Sequence, residues 1–264
     1  MYATVTDARG EPVTDLKASD FQVRQDGALQ TITTFAAGEF PLAVAVGLDR
    51  SFSMAGRTGS RTDRLAAAKS AARAFLGALR KDDQVMIVAI GSDTDVVAPL
   101  STNHAATLAA IDRLDAWGTT PLYDATLAAL DAVQSAKGRR ALVLLSDGTD
   151  RYSDTTATEL LEQARRRDVL VYPIAMGSAR PPVFAELATA TGGRSFFVKD
   201  PRELAGILTT IARELRVQYL LGYVPAASPS TTPSTSGDST WHAIDVEVDR
   251  PGVRVRARDG YFAR

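Results

Sequence analysis

Leu42-Ala43-Val44-Ala45-Val46-Gly47-Leu48-Asp49-Arg50-Ser51-Phe52-Ser53 is the stretch on which the fold turns. Its first seven residues are apolar on both alternating faces. A strand tolerates that only when helices cover both sides, as at the centre of a parallel sheet. The run then ends on a carboxylate and two hydroxyls, the residue types of a strand-end loop. Downstream, Arg64 to Leu79 puts Leu65, Ala68, Ala72, Phe75, Leu76 and Leu79 on one helical face, with Asp63 placed as N-cap. Strands are predicted at 85–90, 142–145, 169–175 and 195–198, and helices at 104–115, 122–137, 155–167, 182–191 and 201–215. This alternation, with short connections, predicts a doubly wound, mostly parallel α/β sheet over residues 41–215.

The two ends of the chain follow another pattern. Short alternating strands are expected near Tyr2 to Thr6 and Phe21 to Arg24, with an Asp26-Gly27 hairpin signal after the second. After the last helix come 218–223, 241–248 and 253–258, where Ile244, Val246 and Val248 alternate with Asp245, Glu247 and Asp249. Neither end holds enough strands for a stable sheet alone. Residues 1–40 and 216–264 are therefore expected to pair into one small β-sandwich into which the α/β domain is inserted. Ala226 to Thr240 is rich in Ser, Thr and Pro with no apolar pattern, and is expected to be a loop of low order.

Composition narrows the chemistry. The 264 residues include 30 Lys and Arg against 31 Asp and Glu, without the basic excess of a nucleic-acid binder. There is no Cys and only His104 and His242, so thiolate, disulfide and multi-histidine metal chemistry are excluded. Any metal must be held by oxygen. No apolar run approaches the length of a membrane span. The N-terminus reads as part of a strand rather than a signal peptide, which leads us to expect sequence upstream of it, with an export signal.

Three predicted loops carry oxygen ligands: Asp49, Ser51 and Ser53 after the first core strand, Thr120 in Gly118-Thr119-Thr120-Pro121, and Asp147 in Ser146-Asp147-Gly148. In an open parallel sheet such loops gather in one crevice at the carboxyl ends of the strands. Three hydroxyls and two carboxylates form a hard donor set that suits magnesium, manganese or calcium. An Asp-x-Ser-x-Ser string means little by itself. Thr120 and Asp147, each at the right place in the β-α order, give it weight. Asp124 and Asp150 are read as helix-turn and loop residues. His104 is placed at a helix N-terminus and His242 on a strand face.

In order, type and setting these five residues resemble the metal-ion-dependent adhesion site of the von Willebrand factor type A domain. Gly118 to Ala125 and Leu144 to Gly148 are similar to that family around its Thr and Asp. The flanks, Val13 to Leu16 with Asp20-Phe21 and Arg258 to Phe262, resemble a bacterial subgroup seen in acidobacteria. The resemblance implies a protein-binding module rather than an enzyme. It would hold Mg2+, with Mn2+ or Ca2+ as alternatives, and an Asp or Glu of a protein partner would complete the coordination. It also implies an extracellular, cell-surface or periplasmic setting. Arg50, Arg57 and Arg61 would favour the same acidic partner if their loop faces it. Two alternatives remain at this point: a structural module with an empty site, and a magnesium-dependent hydrolase, for which we find no second carboxylate pair and no P-loop.

Overall fold

The computed structural model describes residues 1–55, 63–177, 179–225 and 240–263. Arg57, Arg61 and the segment 226–239, on which expectations were placed, lie outside the described residues. The strand that opens the argument is β5 (Leu42–Asp49), with all eight residues buried. It pairs in parallel with β6 (Gln84–Ile90) on one side and β8 (Arg139–Ser146) on the other. Beyond β8 lie β9 (Leu170–Ala175) and β10 (Phe196–Phe197), both parallel. Beyond β6 lies β7 (Thr94–Ser101), which is antiparallel.

The six-stranded order is β10-β9-β8-β5-β6-β7, so the winding reverses between β5 and β8. Sequence reading missed β7. Its mixed exposure and its Pro99 blur the period-two signal, and a proline is tolerated in an edge strand because half of the ladder is unused there.

Helices cover both faces, as a sheet buried on both sides requires. On one face α1 (Arg64–Ala78), α2 (His104–Asp112) and α6 (Leu204–Arg216) pack over Val44, Val46 and Leu48. On the other, α3 (Leu122–Gln134), α4 (Ala157–Arg165) and α5 (Pro182–Thr191) pack over Ala43, Ala45, Leu142 and Leu144. Helix starts follow capping chemistry. The Asp63 carboxylate accepts from the Ala66 amide at 2.8 Å, and Thr156 with Glu159 forms a reciprocal capping box.

The chain ends build two further antiparallel sheets. One has the order β13-β1-β11-β4, from β1 (Tyr2–Thr6), β4 (Ile32–Gly38), β11 (Gln218–Tyr223) and β13 (Arg254–Arg256). The other has the order β14-β12-β2-β3, from β2 (Phe21–Gln25), β3 (Ala28–Gln30), β12 (Trp241–Val248) and β14 (Gly260–Phe262). Each sheet takes strands from both ends of the chain. Asp26 and Gly27 have φ of 50° and 81°, the left-handed pair of a two-residue hairpin turn between β2 and β3. The strands β3, β4 and β14 were not foreseen, because each is short or weakly patterned.

One core joins the two sheets: Ala3, Val5, Phe21, Val23, Tyr219, Leu221 and Val246. The Tyr219 ring stacks among Phe21 and Phe35, and its hydroxyl donates to the Val13 carbonyl at 2.8 Å while accepting from the Leu16 amide at 3.2 Å. The sheets are fastened to the α/β layer by polar ties. Arg139, fully buried, donates to the Gln218 amide oxygen at 3.1 Å and the Phe40 carbonyl at 3.0 Å, and lies against the Tyr2 and Phe40 rings. Buried Glu214 pairs with Arg194 at 3.1 Å and with Arg256 at 2.7 Å.

Tyr219→Phe keeps the ring but leaves the Leu16 amide and the Val13 carbonyl without their partner. Two unpaired backbone groups predict a loss of about 1–3 kcal/mol in urea unfolding at unchanged m-value.

Candidate metal site

The C-terminal ends of β5 and β8 flank the point where the winding reverses, and the crevice there is where ligands settle in open α/β sheets. Asp49 closes β5 and is fully buried. Its Oδ1 accepts from the Ser51 amide at 2.9 Å, and its Oδ2 accepts from the Ser146 hydroxyl at 2.6 Å. Ser146 also accepts from the Gly148 amide at 3.0 Å, so one hydroxyl shapes the loop after β8 and holds Asp49. The Ser51 and Ser53 hydroxyls meet at 3.0 Å.

The other loops are drawn in by backbone hydrogen bonds. The Phe52 amide donates to Gly118, the Trp117 amide to Arg50, and the Arg151 amide to Thr120. Gly118, at φ 77°, sits so close to Ser92 that no Cβ would fit. Thr120 is buried on this loop. Asp147 is partly buried, and its Oδ1 accepts from the Thr149 amide at 3.1 Å. Asp49, Ser51 and Ser53 therefore form one hydrogen-bonded cluster, with Asp147 near enough to act on Asp49 electrostatically and Thr120 on the loop tied to both.

Burial raises the Asp49 pKa above the usual carboxylate range. Hydrogen bonds from Ser146 and Ser51 oppose the rise, and the neighbouring charge of Asp147 adds to it. Among the described residues no Lys, Arg or His forms an ion pair with Asp49. A buried carboxylate without a cationic partner is costly, and a bound cation is the usual compensation. Among the described residues no three His, Cys, Asp or Glu side chains gather as ligands. An ion here would rest on hydroxyls as much as on carboxylates, and the donor set fits a hard cation.

Other candidates take the places expected of them. The Asp124 carboxylate accepts from the Asp154 and Thr155 amides at 2.9 and 3.0 Å, and Asp150 accepts from the Tyr123 amide and the Ser153 hydroxyl. His104 meets the Asp83 carbonyl at the start of α2, and His242 lies by Asp26 in the terminal sheets. Arg50, expected to favour an acidic partner only if its loop faces one, has a partner within the protein. Its main chain is locked between Ile90 and Trp117, and its guanidinium reaches Asp95 at 3.3 Å, so it is engaged within the protein. Arg64 stands closer to the site, donating to the Ser53 carbonyl at 3.3 Å and lining a groove of about 610 Å³ beside Asp147.

Sequence reading missed Ser146, although its place between a buried strand and Asp147 was the available signal. It also missed three exposed aromatics: Phe52, Trp117 and Tyr152 are 63%, 51% and 79% accessible. Each rides on one of the three loops that carry the oxygens. Phe52 and Trp117 are edge to face with centroids 6.4 Å apart, and Tyr152 has φ 70°, a left-handed conformation unusual for a bulky residue.

Sequence and structure comparisons bear on the fold that carries these loops. Residues 44–149 match the family model of the von Willebrand factor type A domain. The chain resembles a solved von Willebrand factor type A protein from Catenulispora acidiphila, with 20% identity, a TM-score of 0.57, and coverage of 81% of this chain and 49% of that one. It also resembles an aerotolerance-related membrane protein from Bacteroides fragilis, with 16% identity, a TM-score of 0.54, and coverage of 66% and 98%. A third is the PilB minor pilin from Streptococcus sanguinis, with 13% identity, a TM-score of 0.56, and coverage of 68% and 62%. At these identities the likeness is one of fold. No curated protein matches the chain in sequence.

Asp49→Asn tests the buried charge in the presence of chelator. Because its folded pKa is raised, Asp49 supports folding while protonated, below its unfolded pKa, and that support is lost as pH rises through the folded value. The neutral amide should therefore unfold at higher urea than wild type at pH 7, with the advantage shrinking as pH falls through the carboxylate range. The six-stranded sheet, its strand-end loops and the family match place residues 44–149 of this chain in the von Willebrand factor type A domain family.

Proposed function

We propose that this chain is a metal-dependent protein-binding module in which Asp49, Ser51, Ser53, Thr120 and Asp147 hold one divalent cation. Magnesium is the first choice, with manganese or calcium as alternatives. The observation that carries the reading is the fully buried Asp49 carboxylate, which has two hydrogen-bond donors but no cationic side chain among the described residues. With three neutral hydroxyls and two carboxylates the ion would remain under-neutralised, and it would supply an electrophilic position for an Asp or Glu of a protein partner. We read Phe52, Trp117 and Tyr152, exposed on the three loops that carry these oxygens, as an aromatic collar for the partner, since that residue class dominates binding energy at interfaces.

Binding is favoured over hydrolysis by the state of the nearby groups. Among the described residues Asp124 and Asp150 are committed to backbone amides and both histidines lie elsewhere, so none of these four is free to act as a general base at the site. Among the described residues no helix is long and apolar enough to cross a membrane. An extracellular, cell-surface or periplasmic setting accords with an adhesion role. A structural neighbour described as a minor pilin, and another described as a membrane protein, lend that setting support.

Calorimetry with MgCl2, MnCl2 and CaCl2 tests the site. One ion should bind wild type, and none should bind Asp49→Ala or Asp147→Ala at millimolar concentration. Saturation at a hundredfold over Kd should stabilise wild type by about 2.7 kcal/mol and leave both variants unchanged. Failure of wild type to bind any of the three ions would remove the metal from the reading.

A second prediction separates the collar from the ion. Trp117→Ala and Phe52→Ala should keep wild-type metal affinity while weakening chelator-sensitive capture of the partner tenfold or more, the loss typical of an interface hot spot. Partner capture that survives both substitutions would show the aromatics to be idle.

A further inference from the structure

The α/β layer has a second pole. Where the N-terminal ends of β8 and β9 meet the terminal sheets, a cavity of about 600 Å³ opens, within the range of small-molecule sites. Four guanidinium groups line it: Arg140, Arg165, Arg166 and Arg258. Three have a close carboxylate: Arg165 binds Asp259 through Nε at 3.1 Å and Nη2 at 2.7 Å, Arg166 binds Glu162 at 3.0 Å, and Arg140 binds Asp168 at 2.7 Å.

Arg258 is the exception. It donates to two neutral carbonyls, Gly260 and Arg165, each at 2.6 Å. Among the described residues its only carboxylate within 4 Å is Asp168, at 3.7 Å, which already serves Arg140. Among the described residues these four guanidinium groups have three carboxylates as ion-pair partners, Asp259, Glu162 and Asp168. Burial lowers the Arg258 pKa, the mark of a cation whose lost hydration is incompletely replaced.

Part of the remaining wall is apolar and aromatic. Leu221, Ile244 and Phe262 line it, and the Arg166 guanidinium lies 3.9 Å from the centre of the Phe262 ring. Tyr223 and Tyr261 also face the cavity, but both hydroxyls are spent on the Gln25 side-chain oxygen at 3.0 Å, so they present ring rather than donor.

We propose that this cavity binds a small amphipathic anion, a flat apolar body bearing one acid group, with the acid seated on Arg258 and Arg140 and the body against Phe262 and Ile244. The site is independent of the metal reading. It lies at the opposite end of β8 from Asp147, on the order of 25 Å away at the rise of a strand.

The probe is 8-anilinonaphthalene-1-sulfonate, titrated by fluorescence into the folded chain with EDTA present. One saturable site is expected, with at least tenfold weaker binding of N-phenyl-1-naphthylamine, the same rings without the sulfonate. Arg258→Gln should weaken the sulfonate tenfold or more. Asp168→Asn, which removes the competing carboxylate, should tighten it severalfold with one-to-one stoichiometry and a wild-type near-UV spectrum. If Arg258→Gln does not fold, the other two arms decide. Absence of a saturable site, equal affinity for the neutral amine, or no tightening in folded Asp168→Asn overturns the proposal.

Discussion

The structure turns on a carboxylate that the central strand delivers into its own interior. Strand β5 is buried along its whole length, so the residue that ends it emerges not into solvent but into the crevice between β5 and β8. Asp49 occupies that position, and burial opposes its charge. Everything around it answers that cost. Ser51 turns its amide back onto the carboxylate, Ser146 lends a hydroxyl from the neighbouring strand, and the Gly118 loop closes against Phe52. These hydrogen bonds moderate the charge without neutralising it, and that uncompensated burial is what the proposed cation would relieve.

Much of this was legible before any coordinates, and the reason is periodicity. A run such as Leu42 to Leu48 is apolar on both faces, and only a central parallel strand uses such a pattern. Once β5 and the strand ending at Ser146 are placed, Asp49 and Asp147 must share a crevice, because the sheet topology leaves them nowhere else. The alternation of Ile244, Val246 and Val248 likewise marked β12, whose Val246 enters the sandwich core.

What stayed hidden lacks a periodic signature. Strand β7 sits at an edge, where exposure on one side and Pro99 erase the alternation. Strand β14 is only three residues long, too short for an alternation to show, although its partner β12 lies close by in sequence. The aromatic collar was invisible for a different reason. Phe52, Trp117 and Tyr152 are far apart in sequence and look like core residues, and only the structure shows that each is exposed on one of the three loops. The pairing of Arg50 with Asp95 was hidden for the same reason, since Asp95 belongs to the missed strand.

Fold and function draw on separate parts of the chain. The core is made by residues that alternate into two helical layers, with Val143 and Leu145 facing one and Leu142 and Leu144 the other along the same strand. Strand β8 thereby becomes a rigid spacer whose termini carry chemistry: Arg139 and Arg140 at its start, Ser146 at its end. At the start, guanidinium groups serve because they hydrogen-bond in a fixed fork and stack on rings at once. Arg139 does both, between Tyr2 and Phe40, and although burial lowers its pKa to about 10 it stays charged at neutral pH. At the other end, short hydroxyls and carboxylates held by the backbone would suit the proposed hard cation, which needs small oxygen donors. Neither set is required for the alternation that builds the sheet. Substitutions at the oxygen cluster can therefore remove binding while the sheet persists, whereas Arg139 ties two layers together and cannot be exchanged without loosening both.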